Sequence, residues 1–541
     1  LVKGQKDVGT LIDELEKNDN VEYAEPNYYV KGYEGSTNKP SDPYSPYQWQ
    51  LGNGKYKTPL PVDTNVSQAW DKIKVGDAKD QPVVAVLDSG VDYTHKDLEG
   101  VMWDQGENIQ ALKDLGGGKY GYNAFYRAGG SESIEPMDSE LGHGTHCAGI
   151  ISAQWNNIGG AGVSPNAKIM ALRFLSNTNG GTTLDSIKSY NYMQTAKKAG
   201  VNIVAVNNSW GPGSFDGYQI RALDTAVTSI GKLGVISVFA AGNSSANLDA
   251  NIMSYANSPY AIIVGAIESS GGYAGFSCYG QKSVDVFAPG VNILSTVPSN
   301  NSDVMLMKPT FLPNLMERGD SIIYNDFEKK DSNYTLSLIK GKDQIIETVT
   351  EPITSGFCSK KSLGISLDAI QNDEEFYVQL DISNNDLSKI DYATPLHIAA
   401  SLNFTNALYR ETIDVQYKDS EGKWKYLESN MMGEINSLMN VGTPVFDKNW
   451  NQIALQLNSS SVFKNCSNPI SLRFSTAKTA KMSNKSDGAM FRIDDFGLGQ
   501  KTIPYAYAYG TSMAAPFVSG VVSLLANNKD KKYSTEEIIA R

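Results

Sequence analysis

The sequence predicts an α/β fold, a mainly parallel sheet layered between helices, with an all-β sandwich inserted late in the chain. Three observations carry this. Largely apolar runs at 82–87, 204–206 and 235–241 show no alternation and end abruptly, as strands buried on both faces do. One apolar helix stands near the end, where Phe517, Val518, Val521, Val522, Leu524 and Leu525 fall on helical spacing. Between about 301 and 501 the strands are instead short and alternating, with turn residues between them.

The first run, Pro82 to Leu87, ends in Asp88-Ser89-Gly90. Asp88 thus stands at the carboxyl end of a buried strand, where open α/β sheets keep their sites. In Leu141-Gly142-His143-Gly144-Thr145-His146-Cys147-Ala148-Gly149, a Gly-flanked histidine precedes a small-residue helix. Two of the four histidines of the chain are here. The strand at Val204 breaks at Ser209-Trp210-Gly211, and the strand at Val235 ends in Ala240-Ala241-Gly242-Asn243. Near the end, Gly510-Thr511-Ser512 makes a sharp turn that opens the apolar helix. Pro516 has no N–H for the carbonyl of Ser512, which a first turn tolerates. Ser512 therefore sits where unpaired N–H groups and the positive helix end point outward, a place suited to a nucleophile that passes through negative charge. Alone, such a turn is an ordinary helix cap. The Asp88 and His143 segments change that.

These segments, in the order Asp, His, Ser, resemble the subtilisin-like serine proteases, the subtilase family. The matching strings are Asp88-Ser89-Gly90, His143-Gly144-Thr145-His146 and Gly510-Thr511-Ser512-Met513-Ala514-Ala515-Pro516. The order differs from those of the chymotrypsin-like enzymes and the α/β-hydrolases. Cys147 after His146 is most similar to the proteinase K branch. The resemblance covers roughly the first 300 residues and the last 40. It implies the subtilisin-like three-layer fold. A serine hydroxyl is a poor nucleophile at neutral pH and needs a base; His143 is in the fitting context, and Asp88 would hold its tautomer and offset its charge. His146 is read as structural. By resemblance Asn243 gives its side-chain amide to the oxyanion, with the Ser512 N–H as second donor. Loss of one such donor costs on the order of 10²–10³ in turnover, a figure that comes from subtilisin itself. Ser209, Trp210 and Gly211 would pair with the substrate backbone and form one wall of the P1 pocket; Ala240, Ala241 and Gly242 would form the other. Gly180 and Gly181, in Asn179-Gly180-Gly181-Thr182, stand where subtilases keep the second edge around the substrate. Main-chain pairing accepts many sequences. The uncharged pocket stretches imply an apolar or aromatic P1 residue.

Calcium is the cofactor the resemblance implies. The polar, Gly-rich loop Gln154-Trp155-Asn156-Asn157-Ile158-Gly159-Gly160 looks like the strong calcium site of subtilases. The implied ligands are Asp42, Asp97 and Asn156, with backbone oxygens of Gln154, Ile158 and Gly160. No redox or organic cofactor is implied.

Composition fits a secreted or cell-surface enzyme. The charge is 47 − 59 = −12, and no basic cluster exists, which argues against nucleic acid. No run of about 18 apolar residues appears, so no membrane span is expected. Four cysteines in 541 residues are too few for a disulfide scaffold. Cys147 is expected buried beside the site; Cys358 and Cys466 are compatible with a bridge and with two free thiols alike.

Residues 1–35, with an amphipathic stretch Thr10 to Lys17 and a strand-like Asn20 to Val30, look like the last half of an inhibitory propeptide. Cleavage is expected within 31–40, and a signal peptide would lie upstream. The partners implied are peptide or protein substrates and this propeptide, so a monomer is expected. The catalytic domain would occupy 36–300 and 502–541, and the family pattern would continue past Arg541. The insert, 301–501, holds strands at Tyr334–Ile339, Phe376–Ile382 and Ile453–Leu457, which argues a jelly-roll-like sandwich. First and last strands lying side by side would let it plug into one loop. Asp326, Glu328, Asp494 and Asp495 read as solvated carboxylates rather than a second calcium site. A binding or adhesion protein with a vestigial protease site is the alternative from another class, and peptide ligation by the same acyl-enzyme a third.

Overall fold

The computed structural model describes residues 15, 17–18, 40–52, 64–72, 81–176, 180–211, 220–250, 258–299, 307, 309–310, 312, 315–316, 320–341, 343–354, 361–371, 374–383, 389–391, 394, 396–405, 414–426, 451–457, 470–475, 488–528 and 533–540. Leu1–Lys39 separates as one unit and Pro40–Arg541 as another. The propeptide reading falls almost wholly outside the described residues, as do Cys358 and Cys466.

The second unit is built on seven parallel strands: β1 (Val83–Asp88), β2 (Gly121–Asn123), β3 (Lys168–Arg173), β4 (Ile203–Asn208), β5 (Ile236–Ala240), β6 (Ala261–Ile267) and β7 (Val286–Pro289). Their order is β2-β3-β1-β4-β5-β6-β7. All of β1 is buried. Val84 and Val86 belong to one core, with Ala148, Ile151 and Met513; Val83, Ala85 and Leu87 belong to another, with Tyr190, Met193 and Val227. Burial on both faces is why the strand shows no alternation. Helices His143–Ser152 and Thr511–Ala526 cover the first face; Thr183–Lys198 and Arg221–Gly231 cover the second. This is the three-layer α/β arrangement expected.

A short strand β8 (Ile293–Thr296) follows β7. Its antiparallel partner is Tyr505–Ala508, with Thr296 opposite Tyr505. The all-β insert lies between these two paired strands. One of its sheets runs in the order Gln344–Val349, Tyr334–Lys340, Phe376–Ile382, Ile470–Ser475, Asp414–Lys418, Trp424–Tyr426. The other runs Pro352–Thr354, Lys361–Ser366, Met490–Gly499, Leu396–Thr405, Asn451–Leu457. Ser321–Asn325 also pairs with Met490–Gly499, so the first and last strands are neighbours. The Phe376–Ile382 strand alternates in burial, one face inward. Phe474 and Phe491, from opposite sheets, stack at 5.6 Å in the sandwich core.

One sequence reading is corrected here. Asp494 and Asp495 are buried rather than solvated. The pairing of Met490–Gly499 with Leu396–Thr405 shifts register between Ala399 and Ser401, a bulge that leaves Asp495 at φ +46° and turns both residues inward. Tyr324 donates its hydroxyl to Asp495 at 3.0 Å. Asp326 is exposed, as expected.

The connections on either side of the sandwich are tied together. Thr310 and Ile503 exchange backbone hydrogen bonds of 3.0 and 2.9 Å. Leu312 and Leu315 pack with Leu294, Tyr505 and Tyr507. No helix among the described residues is long and apolar enough to cross a membrane.

Candidate active site

Three neighbouring strands deliver the site. Asp88 ends β1, Ser209 follows β4, and Asn243 lies three residues past β5, all at the carboxyl edge of the sheet. The two helices of the first face bring His143 and Ser512 to the same edge.

Asp88 is fully buried. His143 Nδ1 lies 2.8 Å from its Oδ1 and 2.9 Å from its Oδ2. Nδ1–H therefore donates to the carboxylate, which leaves Nε2 as the ring atom that gains and loses a proton. Burial alone would lower the His143 pKa; the Asp88 carboxylate outweighs it and holds the imidazole well above its ordinary range. His146, one turn on, is buried and points Nε2 at the Ala506 carbonyl, 3.1 Å away. Burial pulls its pKa down to about 3, so it is neutral. This fits the structural reading of His146.

The sequence reading missed what fixes His143. Gly142, at φ +77°, precedes its helix and has no side chain to cap it. Asp138 supplies the cap. Its Oδ1 accepts from Gly142 N–H at 2.9 Å, and its Oδ2 accepts from Thr145 N–H at 3.0 Å and Thr145 Oγ1–H at 2.7 Å. Burial still pushes this carboxyl up to about 6. An acid just ahead of a small-residue helix was the available signal.

Ser512 is the second residue of its helix. Its Oγ–H donates to the Ser209 carbonyl at 3.0 Å. The helix already begins at Thr511, so Pro516 lies inside it rather than in a first turn. The bond that Pro516 cannot make is replaced from outside. The Ser512 carbonyl accepts from Ser209 Oγ–H at 2.8 Å and from the buried Cys147 thiol at 3.4 Å. Cys147 Sγ also lies 4.0 Å from His143 Nδ1.

Asn243 is aimed by a residue with no role in the sequence reading. Thr511 gives both its N–H and its Oγ1–H to Asn243 Oδ1, each at 2.9 Å, while Thr511 Oγ1 accepts from Gly242 N–H at 3.0 Å. With Oδ1 engaged, Nδ2 is the end available to a ligand. Gly510 has φ +142°. A Cβ on it would sit 3.2 Å from Asn243 Nδ2 and 3.6 Å from Ser512 N, in the space that both donors border.

The segments read as substrate-binding flank this centre. Ala240 and Ala241 are buried, Gly242 is half-buried, Ser209 is buried and Gly211 is exposed. Trp210 packs edge-on against Phe174 at 4.9 Å and Phe239 at 5.9 Å. Gly180 bridges to Ser176 through two backbone bonds; Asn179 is outside the described residues. A Cβ at Gly181 would meet the Phe174 carbonyl at 2.5 Å, so only glycine fits.

The residues read as calcium ligands converge from three segments. Asp42 Oδ1 accepts from Asn156 N–H at 2.8 Å and Asn157 N–H at 2.9 Å. Asp97 Oδ2 accepts from Gly160 N–H at 3.1 Å, and the Asp97 carbonyl accepts from Gln154 N–H at 2.9 Å. Asn156 Oδ1 accepts from Ile158 N–H at 3.0 Å. Asp42 Oδ2 and Asp97 Oδ1 are buried without a hydrogen-bond partner. Burial pushes the Asp97 carboxyl up to about 8, with Asp42 adding to the rise. Two orphaned carboxylate oxygens, buried beside one polar loop, fit a hard cation such as calcium.

Residues 79–314 match the model of the subtilase family. A thermophilic serine proteinase of Bacillus sp. (strain AK1) is 35% identical over 295 residues, 54% of this chain and 61% of that protein. A cuticle-degrading serine protease of Arthrobotrys oligospora is 34% identical over 228 residues, 42% of this chain and 47% of that protein. A solved structure of a cold adapted subtilisin-like serine proteinase is 29% identical, covering 46% of this chain and 74% of that one, with a TM-score of 0.33. The chain thus spans 61% and 47% of the lengths of these two curated relatives.

Proposed function

We propose that this chain, whose residues 79–314 are a subtilase-family domain, is a secreted serine endopeptidase, made as a zymogen, that cleaves peptide bonds through an acyl-enzyme on Ser512. The observation behind the reading is the His143 imidazole held by both oxygens of Asp88, with Ser512 at the start of the adjoining helix.

In the resting arrangement Ser512 Oγ–H is parked on the Ser209 carbonyl. A peptide pairing along Ser209 to Gly211 offers its own N–H to that carbonyl and frees the hydroxyl for His143 Nε2. The proton moves to Nε2 as Oγ attacks the substrate carbonyl. Asn243 Nδ2–H and the Ser512 N–H receive the oxyanion. Imidazolium, steadied by Asp88, then gives its proton to the leaving amine. Water, deprotonated by the same Nε2, releases the acid and restores Ser512. Ala240, Ala241 and Gly242 give the P1 side chain an uncharged wall, favouring apolar or aromatic residues. Calcium, held by Asp42, Asp97, Asn156 and backbone oxygens of Gln154, Ile158 and Gly160, would tie three segments together. The amino-terminal segment would inhibit until cleaved, and the insert would govern access or hold substrate.

The test is turnover of chromogenic peptides differing only at P1, by the mature enzyme and by Ser512→Ala, with and without a sulfonyl fluoride. Cleavage after Phe or Leu, lost in both controls, is expected. A folded enzyme without turnover sinks the protease reading; preference for Arg or Lys sinks the pocket assignment.

A further inference from the structure

Tyr505 belongs to the strand that returns from the insert, yet its side chain reaches every segment of the cation site. Its ring stands edge-on to Tyr44 at 4.9 Å and to His95 at 5.3 Å. Its hydroxyl donates to Asp97 Oδ2 at 3.2 Å. Gly159 passes so close that a Cβ there would lie 1.8 Å from the Tyr505 oxygen. Tyr44 is two residues from Asp42, His95 two from Asp97, and Gly159 lies between Ile158 and Gly160. Tyr44 N–H also donates to the Gly159 carbonyl at 2.7 Å, which closes the ring of segments around the phenol.

The same strand leads to Ser512. His95 Nε2 lies 3.0 Å from the Pro504 carbonyl, and His146 Nε2 lies 3.1 Å from that of Ala506. Beyond Ala508, Gly510 N–H donates to the Gly290 carbonyl at 2.8 Å, and the helix with Ser512 begins.

We propose that Tyr505 is a positioning residue that couples the cation site to the Ser512 strand. Its hydroxyl orients Asp97 toward the cation, and the filled site in turn holds the strand that presents Ser512. This rests on the calcium and protease readings above. Partners of a metal ligand that do not touch the ion themselves set its orientation, and losing one typically costs about 10–100-fold in metal affinity. Coupling between two binding sites is reciprocal. A ligand on Ser512 must therefore tighten calcium by the factor by which calcium tightens that ligand.

The experiment is titration calorimetry of calcium into the mature enzyme and into Tyr505→Phe, each with and without a saturating peptide boronate that bonds Ser512 Oγ. In the unaltered enzyme the boronate is expected to tighten calcium by about 5-fold or more. In Tyr505→Phe, calcium binding weakens by about 10–100-fold and the boronate effect falls toward one. An unchanged calcium Kd in Tyr505→Phe, or an undiminished boronate effect, overturns the proposal. Should that variant not fold, the unaltered enzyme still decides, because a boronate effect of one there overturns the coupling. No calcium heat, or no boronate binding, in the unaltered enzyme would instead sink the calcium or the protease reading, and the coupling with it.

Discussion

Placing Asp at position 474 should unfold the insert and leave the catalytic layers standing, at a cost that can be worked out. Phe474 is fully buried and stacks on Phe491 of the opposite sheet. Loss of such a ring costs about 3–5 kcal/mol. A buried carboxylate without a partner costs several more, so the cost of Phe474→Asp is on the order of a whole domain's stability, about 5–15 kcal/mol. The consequence for the rest lies in the loop that joins β8 to its partner strand. With the sandwich folded, the connecting segments are 320 − 296 = 24 and 504 − 499 = 5 residues. With it unfolded, the loop is 504 − 296 = 208 residues. Closure entropy grows as (3/2)RT ln n, so going from 29 to 208 residues costs about 2 kcal/mol. At about 2.1 cal/mol/K of unfolding entropy per residue over roughly 300 residues, that lowers Tm by roughly 3 °C. Calorimetry on the Ser512→Ala background, which prevents autolysis, should show two transitions. Phe474→Asp should abolish one and move the other down by that amount. Loss of both transitions, or a remaining one that does not move, would refute the reasoning.

Other outcomes follow from the same geometry. Gly510→Ala puts a methyl between Asn243 Nδ2 and Ser512 N at φ +142°; kcat should fall by about 10²–10³ with KM little changed, and a loss confined to KM would contradict it. Chelation by EDTA should lower Tm by several degrees in the unaltered protein and by far less in Asp97→Asn, whose orphaned oxygen is neutralised; equal shifts would remove the cation from Asp97. His146 is neutral when folded, its pKa lowered to about 3, and ordinary when unfolded. The unfolded chain binds the extra proton, so stability from this group is present above pH 6.5 and is lost as pH falls toward 3, at up to about 1.4 kcal/mol per unit. Asp97 and Asp138, raised by burial, pull the other way. The effect is therefore read as the difference in pH slope of urea unfolding between the Ser512→Ala protein and its His146→Gln derivative; identical slopes would end the argument.

The layers were legible because β1, β4 and β5 are buried on both faces and therefore carry unbroken apolar runs. The sandwich was legible because strands such as Phe376–Ile382 bury alternate residues. Asp88 and His143 were legible from Gly-flanked local patterns. Asp138, Thr511 and Tyr505 were not. Thr511 and Tyr505 act through polar contacts to segments far away in the chain, as in the bond from Tyr505 to Asp97 across 408 positions, and such contacts leave no period in the sequence; Asp138 acts locally, through Gly142 and Thr145, and only an acid ahead of the helix marked it. Pro516 was read correctly as unable to bond the Ser512 carbonyl, but the replacement donors on Ser209 and Cys147 come from distant strands and helices. Asp494 and Asp495 were misread because an acidic pair looks solvated until a bulge turns it inward.

The position of the insert also sets a clock on biosynthesis. Asp88, His143 and Asn243 leave the ribosome before β8 ends at Thr296, whereas Ser512 follows 512 − 296 = 216 residues later. At about 5–20 residues per second, that is a delay of roughly 10–40 s. During it the nascent chain holds the proposed base and oxyanion donor without the proposed nucleophile. The sandwich has that interval to fold before the strand bearing Tyr505 docks, so on the proposed reading a growing chain cannot cleave until the Ser512 helix is made.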